Sequence, residues 1–320
     1  MRTTAALFLT AMALATPVAA QQDPTPVTPQ PAAKKVEVYN EAADAKADIA
    51  AAVAAAKKDN KRVLIQWGAN WCHWCVKLDG TLKADKKLSK EMLYEYVLVK
   101  VDVGRFDKNT ELFNGYGAKL KESGIPYLTV LDGDGKVIAN QESGALEQGE
   151  AHDVGKVLGF LKAHEATPLK ADDLLASSLT KAREQGKSVF VHFGAPWCGW
   201  CHRLEAWMAE PSNAAILAKD FIDCKVDTDR NPGGGEMHRK YNAMIDKPSG
   251  GGIPWFVFLN AEGVALVDSN GPQGNTGFPS APEEIAHFTA MLRKAKKNMT
   301  DDDIAALEKS LANASKKGAH

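Results

Sequence analysis

The chain has 320 residues, of which 39 are basic and 40 acidic, so its formal net charge at pH 7 is −1. This balance excludes the basic composition that nucleic-acid binding or attachment to an anionic membrane surface would need, and we expect neither partner. Hydrophobic residues make up 45% of the chain, which is typical of a globular protein. The length allows about two domains.

The first twenty residues predict a secretory signal peptide. Arg2 is their only charged residue, and the apolar run that follows ends in small residues at Ala20, where we expect cleavage. An uncleaved anchor is the alternative. The mature protein is therefore predicted to be periplasmic or secreted, free of the membrane, in a compartment where disulfides persist. Residues 21–35 are Pro-rich and polar and predict a semi-extended linker.

The rest of the chain repeats one pattern of helices and strands. A helical pattern precedes the apolar strand RVLIQW at residues 62–67, and a similar helix precedes SVFVHF at residues 188–193. In each copy a second strand follows, and then the sequence G-I-P opens a strand–turn–strand hairpin. This order predicts an α/β fold with two tandem domains, each with a mostly parallel central sheet, a terminal β-hairpin and flanking helices.

Three boundaries follow from the repeat. We place the first domain at residues 36–164, the second at residues 165–295, and a C-terminal helical tail at residues 296–320. In the tail, Ile304, Leu307 and Leu311 are spaced to lie on one face of a helix. That face is predicted to pack on its own domain, or alternatively on a partner.

Each copy carries two cysteines in a C-x-x-C pattern directly after its first strand. GANWCHWCVKL begins at Gly68 and GAPWCGWCHRL at Gly194, and seven of the eleven positions are identical. Four of the five cysteines belong to these pairs, and five are too few to staple a chain of this length. The repetition predicts that the cysteines react, with the same chemistry at both places.

A place at the start of a helix favours a reactive thiolate at Cys72 and Cys198. The unpaired N–H groups and the dipole of a helix N-terminus stabilise negative charge, and the thiolate is the nucleophile in disulfide exchange. Cys75 and Cys201 lie one helical turn further on and are predicted to resolve mixed disulfides. This chemistry needs no cofactor and no metal. Its partners are expected to be protein substrates with cysteines or disulfides, and a redox partner that the sequence does not identify.

Both copies resemble thioredoxin domains, and in particular those of the extracytoplasmic thioredoxin and protein disulfide isomerase superfamily. The resemblance rests on the strand before W-C-x-x-C, on Pro126 and Pro254 at similar separations from the cysteines, and on the hairpin that follows. It implies that both prolines follow cis peptide bonds opposite the sulfurs. It also implies that the backbone of Ile125 and Ile253 pairs with an extended substrate segment.

Further candidate residues lie beside the pairs. Trp71 and Trp197 are expected to shield the cysteines and to offer an apolar rim to protein substrates. Thioredoxin has a buried acidic residue six positions before its first cysteine, where this chain has Gln66 and His192. Because an amide cannot accept a proton, proton transfer is expected from His73 in the first domain and from His192 in the second. Alternatively, His73 is merely exposed and His192 is a neutral core residue.

Other interpretations of the cysteines stay open. CGWCH at residues 198–202 matches a c-type haem attachment motif, although the first copy lacks the histidine. Zinc sites built from two C-x-x-C pairs usually have about 15–20 residues between the pairs, far fewer than here. A structural disulfide in each domain would leave both pairs inert. The alternative function is therefore a binding or chaperone-like protein with structural, redox-inert disulfides.

Overall fold

Two four-stranded sheets organise the chain, one in each half. The computed structural model describes residues 37–244 and 252–317. The predicted signal peptide (residues 1–20) and linker (residues 21–35) lie outside the described residues. None of the helices in the described ranges has the length and hydrophobicity that a bilayer span requires.

Six helices and six strands make up the described residues of the first domain. The helices are α1 (Ala45–Asp59), α2 (His73–Ala84), α3 (Lys86–Glu95), α4 (Thr110–Gly115), α5 (Leu120–Ser123) and α6 (Val154–His164). The strands are β1 (Arg62–Gly68), β2 (Tyr96–Asp102), β3 (Tyr127–Leu131), β4 (Val137–Glu142), β5 (Glu147–Gln148) and β6 (Ala151–His152). A single 3₁₀ turn, Ser143–Leu146, connects β4 with β5.

The second domain repeats this order. Its helices in the described residues are α7 (Ala171–Gln185), α8 (Gly199–Ala209), α9 (Pro211–Leu217), α10 (Gly234–Ala243) and α11 (Pro282–Ala295), followed by the tail helix α12 (Asp301–Lys317). Its strands are β7 (Ser188–Gly194), β8 (Phe221–Asp227), β9 (Trp255–Leu259), β10 (Ala265–Asp268), β11 (Asn270–Gly271) and β12 (Gly274–Asn275). The predicted α/β class, the tandem arrangement and the hairpin in each domain are confirmed. The exact domain boundaries stay a prediction.

The two sheets have the same topology. Their strand orders are β2-β1-β3-β4 and β8-β7-β9-β10. In each sheet the first two strands are parallel, whereas the third runs against the first and the fourth against the third. The sheets are therefore mixed, and the expectation of mostly parallel sheets was wrong. The reason is that the connection through α4 and α5 begins and ends at the same end of the strands, and so does the connection through α10. The strand after each connection therefore runs in the opposite direction.

The central strands β1 and β7 position the cysteine pairs. Alternate side chains of β1 face opposite sides of the sheet. Val63, Ile65 and Trp67 pack with α1 and α4, whereas Leu64 packs with α2, α3 and α6. Because packing on both faces holds β1 and β7 in position, the end of each strand is fixed relative to the sheet. The helix that follows each strand therefore also begins at a fixed position. The cysteines stand at that junction.

The tail helix α12 packs on the second domain. Ile304, Leu307 and Leu311 are fully buried in the same hydrophobic cluster as Phe288 of α11. The predicted inner face of the tail is thus confirmed, and it is its own domain that covers it.

Candidate redox sites

The cysteine pairs occupy the junction between strand and helix in both domains. Cys72 is the N-cap residue of α2, and Cys198 is the N-cap residue of α8. Each forms a disulfide with the cysteine three positions later, Cys75 or Cys201. The backbone nitrogen of the second cysteine lies 3.1 Å from the first sulfur in both sites. The predicted helix starts are confirmed, and N–H groups point at the sulfur expected to become the thiolate.

Two proline loops face the disulfides. The Ile125–Pro126 and Ile253–Pro254 peptide bonds are cis, as the resemblance implied. The carbonyl oxygen of Ile125 lies 3.8 Å from the sulfur of Cys72, and that of Ile253 lies 3.6 Å from the sulfur of Cys198. The structure brings cysteine and proline together in both domains. Their part in substrate binding stays a prediction.

An exposed tryptophan lies beside each cysteine pair. Trp71 is 45% exposed and Trp197 is 59% exposed, although the four paired cysteines are buried. The indole of Trp71 donates to the carbonyl oxygen of Gly104 at 2.6 Å, and that of Trp197 donates to a carboxylate oxygen of Asp229 at 2.8 Å. Both indoles are thus oriented by a hydrogen bond while their rings face solvent, an arrangement that suits the predicted apolar rim.

A tyrosine that the sequence did not indicate lies behind the first pair. The Tyr39 hydroxyl accepts a hydrogen bond from Nε2 of the fully buried Gln66 at 2.9 Å. A Cβ atom at Gly68 would lie 2.2 Å from the Tyr39 hydroxyl oxygen and 2.9 Å from the sulfur of Cys75. The hydroxyl therefore occupies the space beside the second cysteine. Burial raises the pKa of Tyr39 well above its usual range, so the group stays neutral.

Asn70 fixes Tyr39 in this place. Its side-chain oxygen accepts hydrogen bonds from the backbone nitrogens of Val38 and Tyr39 at 2.8 and 2.9 Å. Its side-chain nitrogen donates to the carbonyl oxygen of Tyr39 at 2.9 Å. The second domain has Pro196 at the equivalent position, and a proline side chain cannot make these bonds. Asn70 thus holds residues 38 and 39 beside the first site by bonds that Pro196 cannot make in the second domain.

The second pair has a carboxylate behind it. A Cβ atom at Gly194 would lie 3.3 Å from the sulfur of Cys201 and 4.0 Å from Oε1 of Glu205, so both groups lie beside Gly194. Glu205 accepts a hydrogen bond from Lys225 at 2.7 Å. The first domain has the same pair as Asp79 and Lys100. Each acidic residue follows the first cysteine by seven positions, a repeat that was visible in the sequence and that we missed.

The two predicted proton-transfer histidines differ in environment. His73 is exposed in the first turn of α2, between the cysteines. His192 is buried on β7, with Nε2 2.9 Å from a carboxylate oxygen of Asp223. Burial acts to raise the pKa of Asp223, but the charge and the hydrogen bond of His192 outweigh it and lower that pKa. A proton-transfer role stays a prediction for both histidines.

A cavity of about 220 Å³ adjoins the second site. Apolar side chains of α8, α9 and β7 line most of it, and five polar side chains reach it as well, namely Lys58 of the first domain, His192, Glu205, Asp223 and Lys225. The cavity has room for several water molecules beside these groups.

The disulfides bear on the haem and zinc interpretations. Cysteines joined to each other cannot also form thioether bonds to haem, and His202 has its Nε2 2.7 Å from the carbonyl oxygen of Pro196. Within residues 37–244 and 252–317, no three His, Cys, Asp or Glu side chains are grouped to hold a metal ion. The arrangement that the described residues do form is suited to thiol–disulfide exchange.

Two such sites on two copies of this sheet place the chain in the thioredoxin superfamily. Residues 44–133 match the family Thioredoxin_7, described as thioredoxin-like. Residues 155–316, which make up half of the chain, match the family Thioredox_DsbH, described as a protein of unknown function, DUF255. The chain belongs to the Thioredox_DsbH family.

Curated relatives carry names from disulfide chemistry. The chain is 27% identical over 178 residues to "Protein disulfide-isomerase 1" of Dictyostelium discoideum, covering 53% of this chain and 46% of that protein. It is 28% identical over 116 residues to "Thiol:disulfide interchange protein DsbD" of Vibrio cholerae, covering 36% and 18%. A solved structure of a disulphide isomerase from Xylella fastidiosa Temecula1 is 34% identical, with a TM-score of 0.37, covering 40% of this chain and 96% of that one. The chain thus spans about half the length of the Dictyostelium discoideum protein and less than a fifth of the Vibrio cholerae protein.

Proposed function

We propose that the chain is an extracytoplasmic thiol–disulfide oxidoreductase that exchanges disulfides with protein substrates at both cysteine pairs. The observation that carries the proposal is the position of Cys72 and Cys198. Each sulfur lies at a helix N-terminus, between an oriented, exposed tryptophan and the carbonyl group before a cis proline. A purely structural disulfide would not need this setting in two copies.

The exchange would proceed in two balanced steps. In the reduced protein, the thiolate of Cys198 attacks one sulfur of a substrate disulfide, which forms a mixed disulfide and releases a substrate thiolate that takes up a proton. Cys201 then loses its proton and attacks the sulfur of Cys198, which closes the pair and releases the second substrate thiol. The substrate gains two electrons and the pair loses them. A redox partner restores the pair, and the reverse order oxidises the substrate.

Trapping tests the proposal directly. Cys75→Ser and Cys201→Ser remove the resolving thiols, so mixed disulfides with a disulfide-bearing protein should accumulate through Cys72 and Cys198. They are detected as adducts that a reductant releases, by non-reducing electrophoresis and mass spectrometry. Cys224→Val is the matched control, because Cys224 is a buried free cysteine at the place of Val99 in the first domain. If neither trapping variant forms adducts above that control, the proposal is wrong.

Alkylation separates this function from a binding protein with inert disulfides. The native protein is treated with an alkylating reagent with and without prior mild reduction, and the added mass is counted. Redox-active pairs should gain four labels after reduction, on the four cysteines of the two disulfides. Pairs that resist reductant until the protein unfolds would favour the binding function.

The extracytoplasmic location rests on the predicted signal peptide. We expect the N-terminus of the protein purified from its natural source to be Gln21. Mass spectrometry of the intact chain measures this directly. Recovery of an extracytoplasmic chain that still begins at Met1 would contradict the predicted cleavage after Ala20.

A further inference from the structure

A buried ion pair joins the two domains close to the second site. The guanidinium group of Arg230, which follows β8, donates to both carboxylate oxygens of Glu95 at the end of α3, at 2.8 to 3.0 Å. It also donates to the carbonyl oxygens of Asp59 and Asn60 at 3.2 and 2.7 Å. Bidentate pairing of arginine with carboxylate has a strict geometry. The loop after β8 is therefore fixed against α1 and α3 of the first domain.

A hydrogen-bonded chain then runs from the first domain to the active-site tryptophan of the second. The Tyr94 hydroxyl of α3 donates to Oδ2 of Asp229 at 2.8 Å. The same oxygen accepts the indole N–H of Trp197, also at 2.8 Å. Trp197 directly precedes Cys198. In the first domain the equivalent of Asp229 is Gly104, and its carbonyl group orients the tryptophan without help from another domain.

A second contact reaches the charged groups behind Cys201. Nζ of Lys225 lies 2.7 Å from Glu205 and 3.1 Å from Oδ1 of Asp59, the last residue of α1. Burial acts to lower the pKa of Lys225, but the charges of Glu205 and Asp59 outweigh it and raise that pKa. One lysine is thus shared between a carboxylate of its own domain and a carboxylate of the other.

The first site is arranged differently. Lys100, the equivalent of Lys225, pairs with Asp79 of α2. The other oxygen of Asp79 pairs with Lys83 of the same helix at 2.7 Å. The pairs described here for Asp79 and Lys100 are made within the first domain. The two copies therefore differ in where the groups that set up each site come from.

We propose that Tyr94 and Asp59 of the first domain are positioning residues of the second redox site, an inference that rests on the proposed function. Tyr94 orients Trp197 through Asp229 and so shapes the rim that a substrate meets beside Cys198. Asp59 offsets part of the charge of Lys225 and so sets the electrostatic potential around the second disulfide. The second site is complete only when the first domain is packed against it.

The test uses the full chain in a background that isolates the second site, Cys72→Ser with Cys75→Ser. The probe is a fluorescent peptide with one internal disulfide. Tyr94→Phe should lower the rate of mixed-disulfide formation at Cys198 about threefold, with the equilibrium against glutathione unchanged, because only the rim is altered. Tyr116→Phe is the matched control, since Tyr116 packs on Trp67 inside the first domain.

Asp59→Asn should have the opposite signature in the same background. Loss of one negative charge leaves Lys225 less neutralised, which favours thiolate over thiol. The pH profile of Cys198 alkylation should shift to lower pH, and the equilibrium with glutathione should shift about threefold toward the reduced pair. In the reciprocal background, Cys198→Ser with Cys201→Ser, neither Tyr94→Phe nor Asp59→Asn should change the first site.

A double-mutant cycle distinguishes positioning from general loosening. If Tyr94 acts through Asp229, then Tyr94→Phe should have no further effect on the rate in an Asp229→Ala background, which has no acceptor for either hydrogen bond. Three outcomes would each overturn this inference while leaving the proposed function intact. The variants could react like a normally active parent, the effects could add in the cycle, or the losses could be equal at both sites. A parent that forms no mixed disulfide at all would contradict the proposed function itself.

Discussion

The two cysteine pairs have nearly the same sequence and very different surroundings. Both domains have a carboxylate paired with a lysine near the site, Asp79 with Lys100 and Glu205 with Lys225. Behind Cys75, however, lie a tyrosine hydroxyl and a glutamine amide that are hydrogen-bonded to each other. Beside Cys201 lies a carboxylate paired with a lysine, with an imidazole on the adjacent strand and a cavity beyond. Reactivity of a thiol depends on charge and hydrogen bonding around it. Identical motifs therefore need not have identical chemistry, and we expect two different reduction potentials.

The largest expected difference concerns the glycine before each pair. Gly68→Ala would place a methyl group 2.4 Å from the ring of Tyr39 and 2.9 Å from the sulfur of Cys75. At Gly194 the nearest atom would be 3.1 Å away. Overpacking a filled core costs about 1–3 kcal/mol. We expect a loss near the top of that range for Gly68→Ala and under about 1 kcal/mol for Gly194→Ala, measured by chemical denaturation.

A compensating substitution checks the cause. Tyr39→Leu removes the ring atoms that the new methyl group meets, so combined with Gly68→Ala it should recover part of the lost stability, although Gln66 then lacks its hydroxyl partner. Equal losses for Gly68→Ala and Gly194→Ala would show that Tyr39 does not fill the first site in the way described.

The carboxylates behind the pairs should differ next. Glu205→Gln removes the group beside Cys201 that can accept its proton, and we expect the resolving step of the second site to slow about tenfold, or ~1.4 kcal/mol. Asp79→Asn should slow the first site less, because both carboxylate oxygens of Asp79 already accept hydrogen bonds from lysines, Lys83 and Lys100. Stopped-flow release of a mixed disulfide, in backgrounds with one active pair, measures both. The reverse ranking would contradict this assignment.

Tyr39→Phe should affect only the first site. The substitution leaves Nε2 of the fully buried Gln66 without its hydroxyl acceptor, which costs about 1 kcal/mol of stability. Adding Gln66→Leu removes the other partner as well and should restore most of that loss, since replacing both partners of a buried hydrogen bond is nearly neutral. Denaturation of the two variants, with exchange rates at the second pair as the control, measures the effect. A changed second site would count against it.

The smallest predicted difference is in the pH response of the first domain. Burial, followed by a hydrogen bond with Glu165, raises the pKa of Glu91 on α3 to about 7. The unfolded chain loses this proton near its ordinary pKa of about 4.3, so the free energy of unfolding falls as pH rises from about 4.3 to 7. Because the carboxyl is only partly buried, the fall should not exceed about 1 kcal/mol.

Glu91→Gln removes the titrating group and should remove that fall. The quantity to compare is the difference in unfolding free energy between variant and parent at pH 5 and at pH 7.5. Glu111→Gln, at an exposed position of α4, is the control. A difference that is the same at both pH values would mean that Glu91 ionises as an ordinary carboxyl group.

Local sequence patterns were enough to predict much of this molecule. A short apolar run followed by G-A-x-W-C predicts a buried strand that ends at the start of a helix. The structure confirms this, because Cys72 and Cys198 are both N-cap residues. Comparison of the two copies aligned each strand with its counterpart. The cis prolines came from resemblance, and the structure has them. These features depend on residues that are close together in the chain.

The groups behind the sulfurs depend on segments that are far apart. Nothing near Tyr39 in the sequence indicates that Asn70 binds its backbone, and nothing near Asp59 indicates Lys225. Strand direction after β2 was missed for the same reason, since it depends on where a connection ends in space. Glu205 is the exception, because its repeat at Asp79 was readable.

Arg105 and Arg230 occupy the same place in the two copies. Arg105 lies over the ring of Trp71 in its own domain, 5.8 Å from the centroid, whereas Arg230 reaches across to Glu95. Of these two equivalent arginines, one thus stays within its own domain and the other links the two domains. A gene rearrangement that exchanged either half for a free-standing relative would lose that link. We therefore expect the two halves to behave as one unit and not as two interchangeable modules.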